Sequence, residues 1–408
     1  MFKQKFLLNN DLIPHIFFLT MGLALFGEIL AVPGLLILIY WLGSAFSERI
    51  KGLYLELKKN KGLRWIFIFS IVLLLICIIS DFYTGGRIWR KDGSLMVFYW
   101  MIFIFSGIFI ALEFGDKLAR YASFWVVFWT LLIVGITICD YFYPQGYFAS
   151  LCRHGFFSNI NIFSSAMISL LLSVVNITII SKKRFKWLLM LGVMLFSFFF
   201  MAFISSSQAV PAVFLCIFMF SLLFTNSEGV FSIVAVCFSV MGIGILMSCY
   251  VSDGPLIDLS KWSFWANFFN HREVVWTVSM EVLRENPLWG VGGGNFETVY
   301  KDVLPLLRSI EHHNIYIHSH NIILHMAASH GIFAACALIG LIFCITKQII
   351  RNLCKKDYLT FILFPAFLMW LIYGAVEFAP SFEELIPLIW GSVGIIVGRG
   401  ISGQKNVN

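Results

Sequence analysis

The stretch that decides the fold is LMVFYWMIFIFSGIFIALE, residues 95–113. A helix needs about 20 mainly apolar residues to cross the hydrocarbon core of a bilayer, and this stretch has that length with a single charge, at its end. Similar apolar runs recur along the 408-residue chain, which is 60% hydrophobic and only 12% charged. Backbone groups must be satisfied internally in lipid, and helices do this within one segment. The sequence therefore predicts an all-α polytopic membrane protein.

The apolar runs divide into about twelve predicted membrane spans. The first two are separated only by Ala31-Val32-Pro33, which predicts a tight hairpin at these residues. A short basic segment, Met1–Asn10, precedes them, and the first run has no small-residue cleavage site, so we expect no cleaved signal peptide. The predicted spans are residues 12–29, 31–46, 65–81, 95–113, 124–143, 162–180, 187–204, 209–225, 229–249, 321–345, 359–376 and 385–398.

Positive charge is divided unequally between the two sides of this predicted bundle. Of the 29 Lys and Arg residues, 20 fall on the side that carries both termini. Cytoplasmic loops of membrane proteins collect these residues, so both termini are expected in the cytoplasm. Three regions follow: nine spans within 1–249, a long polar segment of short helices over 250–320 on the outer face, and three spans with a cytoplasmic tail over 321–408.

Histidines are concentrated at the end of the polar segment. Six of the nine lie between residues 312 and 330, and the tightest group is His318-Ser319-His320-Asn321. The group places two imidazoles that titrate near neutral pH where water meets the bilayer. The two histidines share a face only if the backbone between them is extended. If Asn321 opens the following helix, the dipole favours a neutral imidazole at His320, which can act as a general base toward a sugar hydroxyl.

Other interpretations of the histidines remain open. A zinc site built from His313, His318 and His320 is one alternative, although no HExxH or CxxC pattern supports it. We expect His325 and His330, which lie inside a predicted span, to be packing or hydrogen-bonding groups. The nine cysteines lie mostly in apolar runs and suggest neither a disulfide framework nor a metal site.

A short helix is predicted within the polar segment. Asn270 caps it, with a glutamate three residues later, and it runs to Glu285 before Asn286-Pro287 stops it. Arg272 in the first turn can hold a phosphate bidentately, helped by the free N–H groups there, and the alternative is an ordinary surface arginine. Val275, Ser279 and Val282 mark one face of this helix. Trp276, one turn after Arg272, suits a membrane interface.

Glycines follow this helix at close spacing. The stretch PLWGVGGGNF, residues 287–296, includes Gly290 and Gly292, and we interpret it as a tight turn under the site. A nucleotide-binding loop is disfavoured because no GK[ST] follows. Gly331 lies eleven residues beyond His320, about three helical turns, so it is expected on the same helix face, where it permits close helix packing.

Three stretches together resemble the O-antigen ligase/polymerase family of bacterial envelopes, and look most like its ligases. The first is Arg272-xxx-Trp276 leading into residues 285–296. The second is His320-Asn321 followed after nine residues by Gly331. The third is residues 155–161, GFFSNIN, which are similar to a segment that opens a mid-chain helix in that family.

The resemblance implies a metal-independent, inverting glycosyltransferase of the GT-C type, with an active site on the periplasmic face of the inner membrane and no cofactor. His320 would activate the acceptor hydroxyl with support from His318, while Arg272 and Arg153 would hold the diphosphate leaving group. Many family members carry an arginine where this chain has Gln208; the amide can donate hydrogen bonds but lacks the charge. The residues expected to shape the site are Trp276, Gly290, Gly292, Asn321 and Gly331.

The implied partners are membrane lipids, a polysaccharide carried on undecaprenyl diphosphate as donor and lipid A–core oligosaccharide as acceptor, with no nucleic acid. The nearest alternative is the polymerase, which extends a lipid-linked chain with similar residues. A third enzymatic alternative for this chain is an O-linked protein glycosyltransferase. From another class, a transporter of lipid-linked polysaccharide would place ionisable residues within its spans, where only Glu28, His325 and His330 approach that pattern.

Overall fold

Helices make up all the regular structure in the described part of the chain. The computed structural model describes residues 12–26, 28–44, 46–90, 93–142, 160–180, 272–306, 316–376 and 383–402. Within these ranges the α-helices are α1 Leu12–Ala24, α2 Glu28–Ser44, α3 Phe46–Lys59, α4 Lys61–Thr84, α5 Ser94–Phe114, α6 Leu118–Phe142, α7 Ile160–Ile180, α8 Arg272–Glu285, α9 Phe296–Val303, α10 Ile322–His330, α11 Ile332–Cys354, α12 Tyr358–Val376 and α13 Ile386–Ser402.

Several of these helices are long and apolar enough to cross a membrane. Four candidate spans pass by length and composition among the described residues, or five if the bent pair α2–α3 forms one broken span. The predicted all-helical class is therefore confirmed over the described residues, and the candidate spans indicate a membrane protein. The predicted spans 187–204, 209–225 and 229–249 lie outside the described residues, and the number twelve stays a prediction.

Two predicted boundaries are wrong. The first break falls between Ala24 and Glu28, not at Ala31–Pro33, because Pro33 lies inside α2. The predicted single span 321–345 is two helices, α10 and α11, separated by Gly331. Its glycine has φ of 86°, which no right-handed helix can include. Apolar runs flank both breaks, although Glu28 lies at the first and Ser329-His330 at the second, so hydropathy alone did not locate them.

Among the described helices, α5 and α13 pack most closely. They run parallel, since Gly394 packs on the backbone of Ile104 and Gly398 on Ile108 further along both helices. A Cβ at Gly107 would come 2.6 Å from the Gly391 carbonyl oxygen, so only glycine allows this approach. Trp100 and Trp390 stack across the pair with ring centroids 4.7 Å apart.

The two ends of the bundle differ in their polar residues. Helix α4 ends and helices α5 and α11 begin at one end, which we call the histidine end because His318, His320 and His330 lie there. Helix α11 has 23 residues and so extends about 34 Å at 1.5 Å per residue. It ends at the basic end, defined by Lys355, Lys356 and Arg399.

The described part of the long polar segment packs around a core of its own. This second core is separate from the main core of the bundle and is formed by α8, α9, the glycine-rich turn and one residue of α10. Its buried members are Val275, Val278, Val282, Val291, Phe296, Tyr300, Val303 and Ala328. The histidine turn that precedes α10 therefore rests on a packed base.

Candidate functional site at the histidine end

Asn321 begins helix α10, as the sequence predicts. Its side-chain Oδ1 accepts a hydrogen bond from the Leu324 N–H at 2.9 Å, which is an N-cap interaction. The same side chain donates from Nδ2 to the Ala375 carbonyl at 3.0 Å. Because Ala375 lies near the end of α12, the cap also fixes the histidine turn to the membrane-spanning bundle.

His318 and His320 are neighbours in space although the backbone between them is not extended. The centroids of their rings are 4.6 Å apart. His320 has φ of 48°, a left-handed conformation that costs a non-glycine residue on the order of 1–2 kcal/mol. Both side chains are partly exposed. Strained backbone of this kind is concentrated at functional sites, and here it presents two imidazoles side by side.

Ser319 fixes the histidine turn to helix α8. It is fully buried, and its hydroxyl lies 2.8 Å from the Ser279 hydroxyl on α8. Ser279 in turn donates to the Val275 carbonyl at 2.6 Å, which leaves its oxygen to accept from Ser319. The serine between the two histidines therefore joins the turn to α8.

His325 holds the same serine from the other side. The Ser319 N–H donates to His325 Nδ1 at 3.4 Å, which assigns that nitrogen as unprotonated. The other nitrogen, Nε2, then donates to the Ser329 hydroxyl at 3.2 Å. The prediction that His325 is a buried hydrogen-bonding group is confirmed.

Six rings surround the turn in a closed circuit. Neighbouring centroids are separated by 4.6 Å to 6.5 Å, and Tyr316 meets His320 edge-on at 5.2 Å. Burial, with a smaller contribution from Tyr316, raises the pKa of Tyr300 to about 12, so this phenol stays neutral. In order, the rings are Phe296, Tyr300, Tyr316, His320, His318 and His325.

Arg272 is the first residue of α8 and is only 3% exposed, so the alternative of an ordinary surface arginine is wrong. It precedes Ser279 by seven residues, about 10 Å along the helix axis. Val275, Ser279 and Val282, which the sequence places on one face of this helix, are fully buried. Trp276 is half-buried and packs on the second core. The proposed cap, Asn270, lies outside the described residues.

The glycine-rich stretch is a tight turn, as predicted. Its successive N–H groups are already used: Val291 donates to Ala328 at 3.0 Å and Gly292 to Ser329 at 2.7 Å, both at the end of α10. Gly290 and Gly292 have φ of 64° and 83°. These bonded amides are not available to cradle a phosphate, which supports a structural role over a nucleotide loop.

Gly331 does not share a helix face with His320, so that prediction is wrong. It separates α10 from α11 with φ of 86°, and a Cβ there would overlap the Leu288 carbonyl oxygen. The next N–H, of Ile332, donates to the Pro287 carbonyl at 2.9 Å. The glycine thus allows the turn after α8 to pass directly over the α10–α11 junction.

A buried carboxylate that sequence reasoning missed fastens this assembly to the bundle. Asp81, near the end of α4, accepts from the Gly293 N–H at 2.7 Å and from the Ser94 N–H at 2.8 Å. His330 Nδ1 lies 3.6 Å from the same carboxylate and 3.3 Å from the Ser80 hydroxyl. The predicted hydrogen-bonding role of His330 is confirmed. A lone carboxylate within an apolar run was the available signal for Asp81.

Some predicted residues cannot be placed. Arg153, Gln208, His312 and His313 lie outside the described residues, as does most of the 155–161 segment. Within the described ranges, no group of three or more His, Cys, Asp or Glu side chains is arranged to hold a metal ion. The zinc alternative, which requires His313, stays untested.

Comparisons with known proteins add no family assignment. No protein-family model matches the sequence, and no curated protein matches it at a significant level.

Proposed function

We propose that the chain is a glycosyltransferase of the O-antigen ligase type, which transfers a polysaccharide from undecaprenyl diphosphate to a hydroxyl of lipid A–core. One observation carries the proposal: the partly exposed rings of His318 and His320 stand 4.6 Å apart on a turn that the buried Ser319 fixes. An imidazole that is held in place at a surface is suited to general-base work.

The chemistry follows from these groups. A ring nitrogen of His320 accepts the proton of the acceptor hydroxyl. The oxygen of that hydroxyl bonds to the anomeric carbon of the donor sugar, from the face opposite the leaving group. The bond from that carbon to the diphosphate oxygen breaks, and the diphosphate leaves with the electron pair. His318 supports the base. Arg272, with Arg153 and Gln208, is assigned to the diphosphate, because cationic and hydrogen-bonding groups stabilise negative charge that develops there.

The proposal includes an orientation. The basic end faces the cytoplasm, as the excess of Lys and Arg favours, and the histidine end faces the periplasm of a bacterial inner membrane. The proposal also includes a GT-C architecture with about twelve spans and one long periplasmic segment. It includes no metal and no cofactor. No cytosolic nucleotide is needed, since the donor carries its own diphosphate leaving group.

A deletion strain tests the proposal. We expect loss of long O-chains from lipopolysaccharide on a gel, with intact core and with long polymer still on the lipid carrier. Complementation with His320→Ala should not restore the chains, because a general base contributes about 10²–10⁴-fold in rate. The control Lys51→Gln, exposed on α3 at the basic end, should restore them.

Two results would contradict the assignment. If the lipid-linked material in the deletion strain is confined to single repeats, the chain is a polymerase and the ligase proposal is wrong. If His320→Ala complements as well as the wild type at equal protein level, the imidazole is not the base. Lipid-linked polymer that accumulates only on the cytoplasmic face would instead indicate a transporter.

A further inference from the structure

A cavity of about 660 Å³ opens at the basic end, about the length of α11 away from the histidine turn. It lies where α6 and α12 begin and α11 and α13 end, and its size is within the range of roughly 300–1,000 Å³ typical of small-ligand sites. Its charged and amide lining residues are Asp116, Asn352, Lys355, Lys356, Asp357 and Arg399.

The charges of the lining divide into a paired set and a cationic set. Arg399 donates from Nε to Asp357 Oδ1 at 2.9 Å, and its Nη2 contacts Asp116. Both carboxylates of the lining are therefore engaged by the arginine. Lys355 and Lys356, which are exposed at the mouth of the cavity, contribute the remaining charge, so the net charge of the lining is positive.

Lys356 occupies a position that glycine would fill with less strain. Its φ is 57°, and its N–H donates to the Leu353 carbonyl at 2.8 Å while the N–H of Asp357 donates to Asn352 at 3.1 Å. This is the hydrogen-bond pattern of a helix C-terminus that usually ends in glycine. A lysine in this strained backbone conformation points to a use for its side chain.

The floor of the cavity is held in place by a buried polar network. Asn352 donates from Nδ2 to the Ile396 carbonyl at 2.8 Å and to the Thr360 hydroxyl at 3.1 Å. The Thr360 hydroxyl donates to Asp357 Oδ2 at 2.6 Å, which also caps the start of α12. The ends of three helices are thereby fixed, so the two lysines stand on a rigid rim.

The position of the lysines along the chain indicates what reaches them. They lie in the short turn between two candidate membrane spans, Ile332–Cys354 and Tyr358–Ala375, and so at the depth where headgroups meet the hydrocarbon. Tyr358, which is 57% exposed, lines the same cavity, and tyrosine is enriched at this depth. We propose that the cavity binds the phosphate of an acidic phospholipid headgroup, held by Lys355 and Lys356.

Native mass spectrometry of the full chain in mild detergent tests the proposal with phosphatidylglycerol as probe and phosphatidylcholine as the zwitterionic control. The wild type should bind phosphatidylglycerol the more tightly, and Lys355→Gln/Lys356→Gln should lose about fivefold in affinity for each lysine removed. The matched control Lys58→Gln/Lys59→Gln removes equal charge at the end of α3, outside the cavity lining, and should bind as the wild type does.

A second variant separates binding from folding. Lys356→Gly relieves the left-handed strain, so its thermal midpoint should be at least that of the wild type while its affinity for phosphatidylglycerol falls about fivefold. Unchanged affinity in this variant and in the double glutamine variant would overturn the proposal, as would an equal loss in the control pair. Displacement of the lipid by inorganic phosphate at similar concentration would overturn the lipid assignment in favour of a soluble anion. None of these readouts depends on glycosyl transfer.

Discussion

Buried hydrogen bonds occur at both ends of the bundle, but, among the residues that the structure describes, exposed ion pairs between residues far apart in the sequence occur only at the basic end. At the histidine end Asp81, Ser319 and His325 are almost completely buried and bond to backbone groups and hydroxyls. At the basic end Arg399 is partly exposed and pairs with carboxylates, one of which is 77% exposed. Buried hydrogen bonds fix a geometry, whereas exposed ion pairs contribute little to stability. Substitutions should therefore be costly at the buried residues of the histidine end and mild at the exposed ion pairs of the basic end.

The largest effect should come from Gly331→Ala. The left-handed φ and the overlap of a Cβ with the Leu288 carbonyl oxygen both oppose the change, and the neighbour is backbone, which cannot move aside. We expect a loss of about 3 kcal/mol or more in stability, seen as a large fall in the thermal midpoint. Gly43→Ala in α2, where nothing lies within 4 Å of a Cβ, is the control and should be neutral or stabilising. A wild-type midpoint for Gly331→Ala would contradict the described junction.

Asp81→Asn should have the next largest effect. The carboxylate accepts N–H bonds at both oxygens, from Gly293 and Ser94, and an amide can accept at only one of them. Its NH₂ group would then face an N–H donor in a buried site, which costs on the order of 1–3 kcal/mol. Thermal unfolding measures the cost, and Asp116→Asn at the basic end is the comparison. Equal shifts of the thermal midpoint in the two variants would contradict the expectation that the carboxylate at the histidine end contributes more to stability than the one at the basic end.

Ser319→Ala should be a smaller change in stability with a clear effect on function. It removes one buried bond to Ser279, whose own donor remains satisfied by Val275, so about 1 kcal/mol is expected. Under the proposed function, glycosyl transfer should fall by more than the loss of folded protein explains, because the turn that presents His320 loosens. Ser173→Ala, which removes a similar buried bond in α7, should change stability alone. Equal activity in the two variants would remove Ser319 from the positioning role.

The smallest effect should come from Arg399→Gln. Its ion pairs are partly exposed to solvent, so we expect about 1 kcal/mol or less, decreasing further as ionic strength rises. Thermal midpoints at low and high salt measure both quantities. The shift caused by Ser319→Ala should not depend on salt, since no charge is involved. A salt-dependent shift at Ser319 would show that the histidine end is not held by neutral bonds.

The elements that sequence reasoning located are those specified by neighbouring residues. The α8 face of Val275, Ser279 and Val282 follows from helical periodicity, and the cap at Asn321 follows from its place before an apolar run. The glycine-rich turn was recognised because the motif for a phosphate loop is incomplete. Each of these inferences needs only a window of a few residues.

What the sequence did not reveal depends on partners far along the chain. The Asp81–Gly293 bond joins residues 212 apart, and the Ser279–Ser319 bond joins residues 40 apart. Neither pairing has a local signature, so Ser319 looked like a spacer between two histidines. The conformation of Gly331 was missed for the same reason, because the Leu288 carbonyl that packs against it lies far away in the sequence.

The glycine contact between α5 and α13 has a mechanical consequence. Gly107 and Gly394 each pack against the backbone of the opposing helix, so neither helix can rotate about its axis without a steric clash. The two helices therefore behave as one rigid unit that connects the two ends of the molecule. A rigid helix pair resists bending and fixes the distance between the histidine end and the basic end. Under the proposed function, movement that admits a lipid-linked substrate should come from the helices on either side of this pair.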